Sequence, residues 1–163
     1  MEKRILGNSG LRVSRLGLGT MTWGRDTDEH EAADQLKTFL DAGGNLIDTA
    51  AMYGDGDSER VIGGFIGTLA KREDLVIATK AGISFTAGER SVNNSRTNLL
   101  SDLDKSLSRL GVEYVDLWQI HTWDPMVPLE ETLSAIDQAV SSGRVRYVGV
   151  SNFSGWQLAR AAT

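Results

Sequence analysis

Five short apolar segments recur along the chain, near residues 16, 46, 76, 116 and 147, and stretches of helical periodicity separate them. Intervals of roughly 30 to 40 residues match one strand–helix–strand unit, and such alternation builds a parallel sheet. No residue-level repeat accompanies it, so the periodicity belongs to the architecture and not to a solenoid. Of the two common parallel architectures, the doubly wound sheet carries a GxGxxG phosphate turn after its first strand. Leu16-Gly-Leu-Gly-Thr20 lacks that turn. Barrels place their chemistry at the C-terminal ends of several different strands. The expectation is a (β/α)8 barrel, of which the chain covers an N-terminal hairpin and about five β/α units, as one domain over residues 1–163.

The hairpin is expected over Lys3 to Val13, turning at Gly7-Asn8-Ser9-Gly10. Asp28 with Glu31 marks a helix start; Ala32, Leu36, Phe39 and Leu40 give its apolar face, and Gly43-Gly44 stop it. Asn45-Leu-Ile is the second strand. Ser58-Glu59 reads as the cap of a helix carrying Val61, Ile62, Phe65, Ile66 and Leu69. Leu75–Thr79 is followed by a long polar loop from Ala81 to Asn94. Leu99, Leu103, Leu107 and Leu110 line the next helix, which Gly111 ends. After the Asp116–Ile120 strand and a loop with Pro125 and Pro128, Leu129, Leu133, Ile136 and Val140 form another stripe, closed by Gly143. Tyr147–Val150 is the fifth strand, and a helix begins at Gly155, with Trp156 expected in the core.

Composition removes several function classes. A net charge of −5 without basic runs argues against a nucleic-acid or anionic-membrane partner. The absence of cysteine excludes disulfides, thiol catalysis and sulfur-ligated metals. No apolar run approaches a membrane span, and MEKRILGNSG lacks a signal-peptide core, so the expected location is cytoplasmic. Two histidines, His30 and His121, are too few for a histidine-ligated metal site.

What remains is a pattern of polar strand ends. Asp48, Lys80 and His121 each follow an apolar strand, so all three point to one end of a parallel sheet. Tyr53 lies in the Gly- and Asp-rich loop after Asp48. Singly, each has a plain structural explanation as a turn former, a solvated charge or a packed ring. Jointly they form a proton-transfer set. A phenol is a poor acid at neutral pH unless a cation stabilises its phenolate. Lys80 can be that cation, and Asp48 can hold it charged. Tyr53 could then protonate a carbonyl oxygen becoming an alkoxide, with His121 orienting that oxygen. Such a reaction needs a hydride, which no side chain supplies, and so calls for a nicotinamide cofactor.

These segments resemble the aldo-keto reductase family, N-terminal half. LGNSGLRVSRLGLGTMTWG is similar to its opening hairpin and first strand, and NLIDTAAMYGDGDSE to its best-known signature. The ATK block is similar to its lysine segment, SLSRLGVEYVDLWQIH to its second signature, and GRVRYVGVSNFS to a cofactor-contacting strand. The NSG opening and TMTWG loop are more like the branch of bacterial stress-type reductases and potassium-channel β-subunit-like proteins.

The resemblance implies reduction of a small aldehyde or ketone with NADP(H). Tyr53 would be the acid/base, Asp48 and Lys80 its partners, and His121 the carbonyl-orienting group. Ser151 and Asn152 would bind the nicotinamide carboxamide, with Gly19, Thr20, Met21 and Asp48 beside the cofactor. Trp23 and Trp123 would shape the substrate pocket. The alternative within the same fold is a cofactor-binding regulatory subunit, against which His121 counts. The family's remaining strands and most adenosine-phosphate contacts would lie beyond Thr163. A further expectation is therefore that these residues alone are inactive, and need the C-terminal half of the barrel or self-association to close the fold.

Overall fold

The computed structural model describes Met1 to Thr163, the side chain of Thr86 excepted. An antiparallel hairpin, β1 (Lys3–Ile5) and β2 (Arg12–Ser14), precedes the main body. The body alternates strand and helix: β3 (Gly17–Gly19), α1 (Glu29–Asp41), β4 (Leu46–Asp48), α2 (Asp57–Phe65) and β5 (Val76–Ala81). A second hairpin follows, β6 (Ile83–Thr86) and β7 (Glu89–Val92), and then α3 (Arg96–Leu110), β8 (Val115–Ile120), α4 (Leu129–Ser141), β9 (Val145–Val150) and α5 (Gly155–Ala161).

The five central strands are parallel and lie in the order β3-β4-β5-β8-β9. That order never reverses. A doubly wound sheet has a point at which it does, so the topology is that of a (β/α) barrel, as expected. All six residues of β5 are buried, the mark of a strand covered on both faces.

Capping explains why the helices begin and end where they do. Asp28 accepts a hydrogen bond from the Glu31 backbone N–H at 2.9 Å, satisfying a free donor of the first turn of α1. Gly111, at φ 65°, lets its N–H return to Leu107 and closes α3. Leu99, Leu103 and Leu110 of α3 are completely buried against the sheet. Each such burial stabilises by about 1.5–3 kcal/mol, so Leu103→Ala would loosen this wall.

Several details differ from the sequence expectation. The stretch from Ala81 to Asn94 is no loop but holds the β6–β7 hairpin, because Ala87 (φ 52°) and Gly88 (φ 84°) provide the two left-handed positions of a tight primed turn. Ser58 and Glu59 are not a cap but lie fully buried inside α2, whose N-cap is Gly56; α2 ends before Ile66 and Leu69. The buried face of α4 is Leu129, Thr132, Ala135, Ile136 and Ala139, rotated from the predicted stripe, and Val140 is exposed. Small residues face the sheet there because they permit close approach. Trp156 is exposed and not core. Among the described residues no helix is long and apolar enough to cross a membrane.

Candidate active site

Register brings the polar strand ends together. Gly19 pairs with Asp48, Asp48 with Ala78, Lys80 with Gln119, and Gln119 with Gly149. Side chains alternate faces along a strand, so Lys80 shares a face with Ala78, and His121 with Gln119. The ladder runs on past the strands: His121 N–H donates to Ala81 at 2.9 Å, and Ser151 N–H to Ile120 at 2.8 Å. Gly19, Asp48, Lys80, His121 and Ser151 therefore occupy one face at one end of the sheet.

Lys80 is buried at 7% exposure, and its ammonium donates to Asp48 Oδ2 at 2.7 Å and to the Thr49 carbonyl at 2.9 Å. A buried ammonium needs such partners. The same Nζ stands 5.1 Å from the centre of the Tyr53 ring. His121 meets that ring edge to face, with centroids 6.0 Å apart. Burial pushes the His121 imidazole down to about 4, the Lys80 ammonium adds to this, Asp48 opposes it, and Arg90 contributes in the direction of Lys80. At pH 7 it is thus neutral, with one nitrogen donating and one accepting. Its Nδ1 is buried without a partner.

Asn152, at φ 55°, donates through Nδ2 to the His121 carbonyl at 2.8 Å and to Ser151 Oγ at 3.1 Å. With Nδ2 so engaged, its Oδ1 is left as an acceptor and the Ser151 hydroxyl hydrogen as a donor. A primary carboxamide offers the complementary pair. Gly19 has open space where a Cβ would project, and Met21 is exposed.

Two expected site residues take other roles. The Thr20 side chain presents nothing to a ligand: it is fully buried, with its hydroxyl on the Asp48 carbonyl at 3.0 Å and against Ser58 Oγ at 2.8 Å. It fixes the end of β4 instead. Trp23, expected at the substrate pocket, is 1% exposed and packed in the core. Its ring meets Phe65 edge to face, and its Nε1 donates to Gln35 at 2.9 Å. Trp123 is half-buried and meets Phe153, the residue after Asn152, and Trp156 edge to face at 5.4 and 5.5 Å. A cavity of about 540 Å³ opens beside Tyr53, between Met21, Met52, Ile83 and Phe85 and the side chains of Lys105 and Arg109. It shares Tyr53 with the polar cluster but neither Lys80 nor His121.

Sequence reasoning missed a second carboxylate–cation pair. Glu59, fully buried on α2, accepts from Thr79 Oγ1 at 2.6 Å and from Arg109 Nη1 at 3.1 Å. The available signal was that Glu59 falls three residues before Ile62, on the helix face given to the core. Also missed was Asn94, whose N–H and side chain tie the end of the β6–β7 hairpin to Asp124 and Thr122, just after His121.

Polar side chains gathered at the C-terminal ends of consecutive parallel strands are the site arrangement of barrel enzymes. Comparison with known proteins narrows this class. The sequence model of the Aldo/keto reductase family matches residues 15–163. Aldo-keto reductase YhdN of Bacillus subtilis is 37% identical over 159 residues, covering 94% of the chain and 48% of the relative. A putative voltage-gated potassium channel subunit beta of Schizosaccharomyces pombe is 39% identical over 164 residues, covering 97% and 47%. Among solved structures, the holo form of aldo-keto reductase AKR11C1 from Bacillus halodurans superposes with a TM-score of 0.85 at 35% identity, covering 94% of the chain and 51% of that structure. The chain belongs to the aldo/keto reductase family, and it spans about half the length of the curated relatives it matches.

Proposed function

We propose that the full-length protein reduces aldehyde or ketone carbonyls to alcohols with NADP(H), and that Tyr53 supplies the proton. The observation that carries this reading is the Asp48–Lys80 pair at 2.7 Å with its ammonium 5.1 Å from the Tyr53 ring centre, beside a neutral His121. The reduced nicotinamide supplies hydride when bound. Tyr53 then gives its hydroxyl proton to the carbonyl oxygen as that oxygen takes up negative charge. Lys80 offsets the charge left on the phenolate, and Asp48 keeps Lys80 ionised and aimed. His121, uncharged, donates a hydrogen bond that orients the carbonyl without competing as an acid.

Ser151 and Asn152 would hold the nicotinamide carboxamide through the donor and acceptor they leave free, with Gly19, Met21 and Asp48 alongside. Trp123 would border the substrate. The test is NADPH consumption by the full-length protein on addition of an aromatic aldehyde. Steady oxidation of NADPH with formation of the alcohol is expected. No consumption across a panel of aldehydes and ketones, with NADPH bound, would contradict a reductase and favour a binding subunit.

A further inference from the structure

Between Tyr53 and α2 the backbone passes through three consecutive left-handed residues, Gly54 (φ 58°), Asp55 (φ 52°) and Gly56 (φ 91°). Left-handed backbone costs roughly 1–2 kcal/mol at most residues, and Gly and Asp tolerate it best. The turn keeps backbone hydrogen bonds of its own, Asp55 N–H to the Met52 carbonyl at 3.3 Å and Asp57 N–H to the Gly54 carbonyl, and it also has a side chain packed on it. What packs on Gly56 is Arg109, from α3. A Cβ built at residue 56 would lie 2.3 Å from Arg109 Nε and 2.5 Å from its Cζ. The guanidinium fills the space that the missing side chain leaves.

Arg109 is itself fixed from the other side. It pairs with the fully buried Glu59, whose second oxygen accepts from Thr79, the residue before Lys80. One chain of contacts thus runs from β5 next to Lys80, through Glu59 and Arg109, to the turn three residues after Tyr53. We infer that Glu59 and Arg109 are positioning residues: Glu59 holds Arg109 against Gly56, and together they set the Tyr53 loop against the Lys80 strand and so fix the phenol over its ammonium. The pair touches neither Lys80 nor His121 and acts through Gly56 and Thr79. This inference rests on the assignment of Tyr53 as the proton donor.

The experiment compares Gly56→Ala and Arg109→Lys in the full-length protein, each with Tyr53 intact and each with Tyr53→Phe. Gly56→Ala pushes the guanidinium away from the loop side. Arg109→Lys keeps a cation for Glu59 but removes the planar group over Gly56. With Tyr53 present, each should lower kcat ~10-fold, since misplacement of a reacting group by a fraction of an ångström costs rate. KM for the aldehyde and NADPH affinity should hold. In the Tyr53→Phe background neither should lower kcat further, because the group being positioned is gone.

A kcat within twofold of the parent in both variants would overturn the inference alone, provided Tyr53→Phe itself is slow. Equal losses with and without Tyr53 would also overturn it, as general damage. Parental turnover in Tyr53→Phe would overturn the acid assignment and the inference together. Should Gly56→Ala fail to accumulate as folded protein, Arg109→Lys carries the same test.

Discussion

Two carboxylate–cation pairs hang on neighbouring residues of β5, one on each face. On the site face, Lys80 pairs with Asp48, whose side chain is 37% exposed. On the helix face, Thr79 reaches Glu59, which is fully buried and pairs with Arg109. The second pair is closed: both carboxylate oxygens accept a hydrogen bond from the chain. The first is open: one Asp48 oxygen accepts from Lys80, and the ammonium stands beside a phenol ring. A closed ionic pair in a core holds elements together, and an open one at a sheet end leaves a charge for chemistry. Strand alternation alone separates the two roles.

The contrast can be broken by removing one cation at a time. Arg109→Met strands the Glu59 carboxylate in the core, which should destabilise the fold by about 3–5 kcal/mol, read from urea unfolding. Lys80→Met leaves Asp48 with access to water, so stability should fall by far less while turnover drops ~10²-fold or more. Any activity that survives should show a shifted pH optimum. If Lys80→Met proved the less stable of the two, or kept the parental pH profile, the division between closed and open pairs would be wrong.

A smaller effect concerns His121. Its folded pKa of about 4 lies below the ordinary value of 6.5. The unfolded chain therefore takes up this proton first as pH falls. His121 favours folding fully above pH 6.5, and that contribution is lost progressively between 6.5 and about 4. Histidine NMR signals should show His121 uncharged until the pH nears 4. Replacing it by Phe should make the dependence of stability on pH shallower across that window. An imidazole titrating near 6.5 would mean that it is solvated and not seated beside Lys80.

The sequence disclosed the open pair more readily than the closed one, for a physical reason. A polar residue ending an apolar strand breaks a pattern, so Asp48, Lys80 and His121 stand out. Glu59 and Arg109 sit within helical stretches where charges are ordinary, and their burial depends on the approach of α2 to α3. The family resemblance, and no local pattern, is what puts Thr20 beside the cofactor and Trp23 at the substrate pocket. Local sequence does not say which loop side chains turn inward, and both turn into the core. The β6–β7 hairpin was hidden for a similar reason. Its first strand, Ile83-Ser-Phe-Thr86, alternates over only four residues, its second, Glu89-Arg-Ser-Val92, is mostly polar, and its turn depends on Ala87 adopting a left-handed conformation that alanine seldom takes. The strand order and the α3 face were legible because β/α spacing and leucine periodicity are long-range patterns that single contacts cannot mask.

Whether Tyr53 is the proton donor is decided by the turnover of Tyr53→Phe, measured with NADPH affinity in the same preparation. The substitution keeps the ring that Lys80 and His121 pack against and removes only the hydroxyl. Its kcat should fall ~10²-fold or more, with NADPH bound as in the parent. Near-parental turnover in that variant would contradict Tyr53 as the proton donor.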